Sequence, residues 1–223
     1  MLEALALIAA VLVAVGGYSV VSQDRRAAER VKRALSQAKR YAISDLPEDV
    51  PGRVVGTVRP LRETLVAPLS QRSCVYYVVE VREKFGDHYR IVFRESNGAP
   101  FIVEDGTGRA IVDPSRALSA LDFDDRSHSG GLLAPNMAAA AFLAKFEQST
   151  TGWWLLYKTF EYCEAVIEAG NVVEILGSAV REPDPDAPRS GGYRDAPATR
   201  LRFSSSPKMP LLVSDHSKAT TPA

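Results

Sequence analysis

An uncharged run near the amino terminus constrains this chain more than any other feature. It covers Ala4 to Val21, 18 residues without Asp, Glu, Lys or Arg. At about 1.5 Å per residue, a helix of this length nearly crosses the roughly 30 Å hydrocarbon layer of a bilayer. A cleaved signal peptide is the alternative, but it would begin with basic residues, and here the early charges are Glu3 and the amino terminus. We therefore predict a retained transmembrane anchor over residues 1–22.

The charges balance over the whole chain but not along it. Lys plus Arg and Asp plus Glu number 27 each, so no net basic field would attract nucleic acid, and we predict no nucleic-acid partner. Between Ser22 and Arg40, however, seven basic residues stand against two acidic ones. A basic excess beside a span favours the cytoplasmic side. We therefore expect a single-pass protein with a cytoplasmic globular part and the lipid bilayer as one partner.

The residues after the predicted anchor have the spacing of a charged helix with a narrow apolar stripe. The stripe consists of Ala27, Val31, Ala34, Leu35, Ala38, Tyr41 and Ala42. We predict a basic juxtamembrane helix over residues 23–46, which Ser44, Asp45 and Pro47 end. Two readings remain open and are compatible: the stripe rests on the globular domain, or the basic side chains bind anionic headgroups. The candidate surface cations are Arg25, Arg26, Arg30, Lys32 and Arg33.

Short β-rich blocks separated by turn residues follow from residue 51 to residue 215. In "CVYYVVEVREKF", Val75, Tyr77, Val79 and Val81 fall on one face of a strand, and Tyr76, Val78, Glu80 and Arg82 fall on the other. The turns "FGDH", "SNGAP" and "DGTG" are only a few residues long, which predicts an antiparallel meander. We predict an α+β fold: the transmembrane helix, then a β-dominated, mostly antiparallel, barrel-like domain.

The strands are interrupted between Pro114 and Thr151. The polar, glycine-rich "LDFDDRSHSGG" predicts a mobile loop. After it, "PNMAAAAFLAKFEQ" predicts a helical insertion with Phe142, Leu143 and Phe146 toward the core. Arg181–Arg200 is dense in Pro, Gly and charge, which predicts an irregular loop. After it, "LRF" and "PLLVSD" each predict a strand. Residues 216–223 are predicted to form a disordered tail.

No set of nucleophile, base or metal ligands is apparent from spacing. The histidines are His88, His128 and His216, which share no ligand spacing, so we predict no metal, cofactor or catalytic residue. The stretch "EYCEAVIEAGNVVEILG" predicts a hairpin, in which the glutamates nearest Cys163 point away from it. Because no histidine is close in sequence, Cys163 is interpreted as a structural thiol. Whether Cys74 and Cys163 are free or bridged stays open.

Trp153 and Trp154 stand side by side before the last long strand-forming stretch. Adjacent residues on a strand face opposite ways, so at most one of the two indole rings is expected to lie fully in the core. The other is a candidate contact with a protein partner or with the membrane surface. The identity of any protein partner stays unknown from sequence.

The order of these motifs resembles the GIDE domain, also called the BAM or beside-a-membrane domain, of the mitochondrial ubiquitin ligase family that includes MULAN (also called MAPL), and of its bacterial relatives. The matching pieces are the predicted anchor, "GTVRP", "LVAPLSQRSCVYYVVEV", "FIVEDGTGRAIVDP", "FLAKFEQSTTGWWLLYKTFEYCEAVIEAGNVVEILGSAV" and "PLLVSD". The motif positions are Pro68, Cys74, Tyr76, Asp105, Gly108, Asp113, Glu161, Glu164, Gly170 and Gly177.

The resemblance implies a membrane-anchored, β-rich binding or scaffolding domain over residues 51–215. Ligase members of the family also carry a RING after a second span, but residues after Val213 include one His and no Cys. Ubiquitin transfer is therefore not carried over. The alternative, an E3 ubiquitin-ligase relative or an enzyme component with a reactive thiol, depends on the environments of Cys74 and Cys163.

Overall fold

The computed structural model describes residues 27–144, 157–186, 198–206 and 209–215. Within them no helix is both long enough and apolar enough to cross a bilayer. The predicted anchor, the cations Arg25 and Arg26, the aromatic pair Trp153–Trp154 and the predicted tail all lie outside the described residues.

Strands dominate the described part of the chain. Two α-helices, α1 (residues 27–37) and α2 (Met137–Ala144), and one short 3-10 helix, η1 (Ile43–Asp45), accompany them. The strands are β1 (Gly52–Pro60), β2 (Leu65–Val66), β3 (Ser73–Cys74), β4 (Tyr76–Phe85), β5 (His88–Gly98), β6 (Phe101–Glu104), β7 (Arg109–Asp113), β8 (Leu118–Ala120), β9 (Asp125–Gly131), β10 (Tyr157–Ile167), β11 (Val172–Gly177), β12 (Ala179–Pro183), β13 (Thr199–Ser204) and β14 (Leu212–Asp215).

Eight strands form the larger sheet, in the order β12-β13-β7-β6-β1-β11-β14-β8. The strands β11 and β12 stand five positions apart in this order, yet only Ser178 separates them in the chain. The sheet must therefore curl strongly, so that the end of β11 approaches its edge strand β12. No pairing in the described residues joins the two edges, so the prediction of a barrel-like domain is wrong: the sheet is curled but open.

The inner face of the curled sheet holds the main hydrophobic core. Buried side chains from most of its strands meet there, and η1 contributes Ile43. The smaller sheet reaches the same core through Tyr76, Val78 and Ile167. This apolar cluster is large enough to explain why the two sheets form one body, because burying apolar surface is the main driving force of folding.

The smaller sheet has four strands in the order β5-β4-β10-β9. Alternation along β4 sends Tyr76 and Val78 into the main core, and Tyr77, Val79 and Val81 into a second core under α2. The predicted two faces of this strand are thus confirmed for these residues, although Val75, which precedes the strand, belongs to the main core. In α2, Phe142 and Leu143 are buried as predicted, and Phe146 lies outside the described residues.

The connectivity differs from the predicted meander. The strands β4 and β5 form a hairpin, and so do β6 and β7, but β5 and β6 belong to different sheets. The predicted hairpin of β10 and β11 is also wrong, since β10 pairs with β4 and β9 while β11 pairs with β1 and β14. Nine of the described strand pairings are nevertheless antiparallel, and those of β13 with β7 and of β14 with β8 are parallel.

The polar stretch predicted as a mobile loop is largely a strand. Residues Asp125–Gly131 form β9, an edge strand that pairs with β10. Its alternating exposure leaves one face of the strand in water, so the strand needs few apolar residues. For this reason the hydrophobicity pattern did not predict it.

Helix α1 packs its apolar stripe on the larger sheet. Val31 and Leu35 are buried against Ala120, Leu176 and Leu212. The helix ends at residue 37 in place of the predicted residue 46. The reason is that Lys39 and Tyr41 exchange backbone hydrogen bonds with Arg53 of β1, which draws the following chain into extended geometry. Of the two open readings of the stripe, the packing on the domain is confirmed.

We predict that Leu35→Ala lowers the free energy of unfolding by about 2–5 kcal/mol, because it leaves a cavity under α1. The exposed Glu29 on the same helix provides the control, since Glu29→Ala should change stability by no more than about 0.5 kcal/mol. Chemical unfolding of the detergent-solubilised chain measures both. Equal stability of Leu35→Ala and the wild type would contradict this packing.

Candidate functional site

One face of the four-stranded sheet carries seven Arg, Glu, His and Cys side chains. They form two cross-strand rows. In the first, Arg94, Glu80, Cys163 and Arg126 are neighbours on β5, β4, β10 and β9. In the second, Arg82, Glu161 and His128 are neighbours on β4, β10 and β9. We call these seven residues the charged face.

Ion pairs link the members of the charged face. Arg82 donates to Glu80 Oε2 at 2.8 and 3.0 Å and to Glu161 Oε2 at 3.0 Å. Arg94 donates to Glu80 Oε1 at 3.0 Å, and Glu80 is only 4% exposed. Both oxygens of Glu80 are therefore occupied by guanidinium groups. Removing one member of such a buried set leaves an unpaired charge, which strongly destabilises a fold.

Glu161 is the point where the two rows meet. Burial by itself would raise the pKa of its carboxyl, but hydrogen bonds from Arg82 and Cys163, together with the nearby guanidinium charges, outweigh that effect and hold the pKa below its usual range. On the outer side, His128 Nε2 lies 3.6 Å from Glu161 Oε1. The expectation that the neighbouring glutamates point away from Cys163 is therefore wrong for Glu161, because residues two apart on a strand share a face.

Cys163 has the neighbours of a reactive thiol but not the environment of one. It is free and fully buried, and burial raises the pKa of its thiol to about 11, although Arg82 acts in the opposite direction. The thiol donates to Glu161, which keeps it in the protonated form. A nucleophilic cysteine needs a lowered pKa and access to substrate. This geometry supplies neither.

Glu164 points to the opposite side and holds a loop. Its carboxylate is fully buried and accepts the backbone N–H groups of Leu69 at 2.8 Å and Ser70 at 2.9 Å. This loop follows Pro68 and leads to Arg72, which forms a two-pronged ion pair with Asp124 at 2.9 and 3.0 Å. The motif residues Pro68 and Glu164, 96 positions apart in sequence, thus act together as a structural clamp.

Cys74 lies beside this clamp. It is free and fully buried, and burial together with the charges of Glu164 and Glu168 raises the pKa of its thiol to about 11. The two cysteines are thus both reduced in this structure, which answers the question of a bridge between them. The environment predicted for an enzyme with a reactive thiol is absent at both described cysteines.

Asp105 organises a second motif at the turn between β6 and β7. Its Oδ1 accepts from Thr107 and Gly108, and its Oδ2 accepts from the backbone N–H of Ile43 in η1 at 2.8 Å. Burial opposes ionisation, but these hydrogen bonds outweigh it and lower the pKa of Asp105. The "DGTG" turn is thus confirmed as a tight hairpin, with Gly106 at a φ of 84°, which glycine adopts readily.

The remaining motif positions also have structural roles. A side chain at Gly108 would press on Ile43, and one at Gly177 would press on Leu211. Gly170 has a φ of 87° in the turn before β11. Tyr76 donates to Ser119 from within the main core, and Asp113 accepts the backbone N–H of Ser115. None of these contacts points to a substrate.

An open groove of about 820 Å³ lies on the surface of the larger sheet. It lies between the stretch after α1, the strand β1 and the Asp105 turn. Arg40, Tyr41, Thr57, Arg59 and Thr107 contribute to its lining. Its polar and apolar groups are mixed, and Arg59 is already paired with Glu104 at 2.6 Å. Glu104 and Asp105 also line the groove, and both carboxylates are engaged by other groups of the protein.

The candidate surface cations of α1 lie on its outer side. Arg30, Lys32 and Arg33 are exposed, and Lys32 pairs with Asp122 at 2.8 Å. They do not join the charged face or the groove lining given above. Among the described residues no group of three or more His, Cys, Asp or Glu side chains is arranged to hold a metal ion.

Spacing alone did not reveal the charged face, because its members come from four strands. A signal was present, however, in the alternate positions Glu80 and Arg82, Glu161 and Cys163, and Arg126 and His128. Polar residues two apart on a buried strand indicate that one face carries charges which need partners. The face is complete only because residues 125–131 form the strand β9, which brings Arg126 and His128 beside β10.

Comparisons with known protein families, with curated proteins and with solved structures found no match. The resemblance to the GIDE domain therefore stays a prediction.

We predict that neither native cysteine reacts with a thiol reagent at pH 8. A pKa of about 11 leaves roughly one thiol in a thousand ionised at that pH, and both side chains are closed to solvent. Absorbance on release of the reagent's chromophore measures the reaction before and after unfolding. Val66→Cys adds an exposed thiol as the control and should react at once. Rapid labelling of Cys163 in the folded chain would support the enzyme alternative.

We predict that Asp105→Asn lowers stability at neutral pH by about 1–3 kcal/mol, because an amide nitrogen cannot accept the Ile43 N–H. The pKa of Asp105 is lower in the folded state than in the unfolded state, where it is about 4. The carboxylate therefore contributes fully to folding stability above the unfolded-state pKa, and this contribution is lost as pH falls through the folded-state pKa. The stability difference from the wild type should therefore shrink in acid. Urea unfolding across pH measures this, with the exposed Asp87→Asn as control. A difference independent of pH would contradict the assignment.

Proposed function

We propose that this chain is a membrane-anchored, non-catalytic module that binds or scaffolds a protein partner at a membrane surface. The proposal follows from how the chain uses its reactive groups. Cys163 is the observation that carries it: the thiol lies beside Glu161, whose carboxylate contacts His128, yet the thiol is buried and protonated. A thiol that is closed to solvent and hydrogen-bonded to a paired carboxylate serves the structure.

The other polar groups support the same interpretation. The carboxylates of Glu80, Glu164 and Asp105 each accept two or more hydrogen bonds from the protein itself. Acid–base catalysis needs a group within reach of the substrate and free to exchange a proton. The groove beside β1, in contrast, has the openness suited to a bound segment, and its mixed lining suits a polypeptide.

The packing of α1 on the larger sheet supports a position of the globular domain close to the bilayer. Residue 27 follows the uncharged run Ala4–Val21 by six positions, and from Val31 onward the helix is packed on the larger sheet. A short connection to a packed helix would hold the domain near the membrane. The exposed Arg30 and Arg33 would then face the anionic headgroups of the cytoplasmic leaflet, as the charge rule predicts. The resemblance to a beside-a-membrane domain agrees with this arrangement.

We predict that the full chain stays in the membrane pellet after extraction at alkaline pH. The paired substitution Leu12→Arg and Val15→Arg places two charges in the uncharged run and should release the chain, because charged residues at the centre of a span oppose insertion. Immunoblotting of pellet and supernatant measures the distribution. A matched control places the same two charges at Glu29 and Ser36, which are already exposed on α1.

Partner binding is tested separately from anchoring. Crosslinking in membranes should give the same adducts for the wild type and for Cys163→Ser, and Thr57→Trp in the groove should weaken them. Loss of adducts with Cys163→Ser at unchanged stability would favour the thiol enzyme over the scaffold. Release of the wild-type chain at alkaline pH would overturn the membrane anchor.

A further inference from the structure

Exposed apolar side chains gather at one end of the four-stranded sheet. Phe85 is 77% exposed, Leu132 is 92% exposed and Met137 is 89% exposed, and Leu133 is also exposed. Phe85 ends β4 at its turn to β5, while Leu132 and Leu133 follow the last residue of β9. We call Phe85, Leu132, Leu133 and Met137 the sheet-end patch. Large apolar side chains concentrated in this way indicate an interaction surface.

Strand register places these turns at the same end. In β10, Tyr157 pairs with Gly131 of β9, and Phe160 pairs with Glu83 of β4. The turns therefore leave the sheet at the same end, with β10 between them, and each uses a glycine of positive φ, Gly86 at 59° and Gly131 at 61°. Met137 begins α2 four residues after Leu133. The patch thus combines two projecting turns with the first residue of α2, a form that suits entry into a soft layer better than contact with a flat protein face.

The amino-terminal end of α1 lies over the middle of β4. Ala28 lines a small cavity of about 100 Å³ together with Arg82, Arg94 and Phe123. Arg82 is three residues from Phe85 on β4, about 10 Å along the strand. The other end of α1 leads to Lys39, which is hydrogen-bonded to Arg53 of the larger sheet. The amino-terminal end of α1 is therefore the end beside β4, the strand that Phe85 ends.

Chain length connects this geometry to the bilayer. Val21, the last residue of the uncharged run, precedes Ala28 by seven residues, which reach at most about 25 Å. Because Arg82, beside Ala28, is about 10 Å along β4 from Phe85, a bilayer holding the uncharged run would lie within reach of the patch. This step rests on the membrane anchor of the proposed function.

The charges around the patch favour lipid insertion over electrostatic adsorption. Arg90 pairs with Glu83 at 2.9 Å, and Lys158 lies 3.8 Å from the same carboxylate. Lys84 and Asp87 are the exposed charges of opposite sign at the turn. With these three cations and two carboxylates, the described surroundings of the patch are close to neutral, so binding should depend on apolar contact and little on salt.

We propose that the sheet-end patch inserts into the interfacial layer of the bilayer that holds the amino-terminal anchor. The domain then has two membrane contacts, the anchor and the patch, which fix its tilt relative to the bilayer. The groove beside β1 is thereby presented in one orientation to a partner.

Fluorescence quenching by lipids tests this contact on the full chain in vesicles of zwitterionic phosphatidylcholine. Leu132→Cys carries an environment-sensitive dye, and Met137→Cys is a second reporter from a different segment. Val66→Cys is the matched control, because Val66 is 61% exposed and pairs with Ser73 near the opposite end of the sheet. The native cysteines are buried and should stay unlabelled.

Dyes at Leu132 and Met137 should lose emission when the lipids carry bromine near the headgroup, and the dye at Val66 should not. The loss should persist in about 0.5 M salt, where the Debye length falls to a few ångströms. Equal emission with and without bromine at all three positions would overturn the inference while leaving the anchor intact. Shielding of Leu132 from an aqueous quencher without quenching by brominated lipid would identify a protein contact and also overturn it. A chain that does not float with the vesicles overturns the proposed function and this inference together.

Discussion

The burial of β4 on both of its faces is the constraint on which the rest of the structure depends. Tyr76 and Val78 enter the main core of the curled sheet, and Tyr77 and Val79 enter the core under α2. A strand that belongs to two cores cannot shift register by one residue without exchanging both sets of side chains. The same register sets Glu80 and Arg82 beside Glu161 and Cys163 on β10. The charged face is thus a consequence of the packing of this strand.

Burial also decides what the charged face can do. Cys163, Glu161 and His128 resemble the parts of a nucleophilic site, but the thiol is closed to solvent and its pKa is raised. The carboxylate that could have assisted it is held by Arg82. In a low-dielectric interior the buried members of the charged face stabilise one another, while Arg126 and His128 lie about half exposed at its rim. The groove and the exposed end of the four-stranded sheet are open surfaces outside the charged face.

Part of the fold could be predicted because it depends on local rules. Alternation predicted the faces of β4, glycine predicted the turn beside Asp105, and the three- and four-residue spacing predicted the buried Val31 and Leu35 of α1. The wrong predictions concerned which strands exist and which of them pair with one another. The strand β9 was missed because its outward positions are polar, and the assumed hairpin of β10 and β11 failed because their short connection passes from one sheet to the other.

The sequence by itself determined the uncharged amino-terminal run, the basic stretch after it, the β-rich composition and most turn positions, because these follow from side-chain polarity and local backbone preferences. Only the tertiary structure decided that the larger sheet stays open, that Glu164 clamps the loop after Pro68, and that Cys163 meets Glu161 in a closed interior. These features join residues from distant strands. Their contacts depend on sheet order and register, which short-range spacing does not encode.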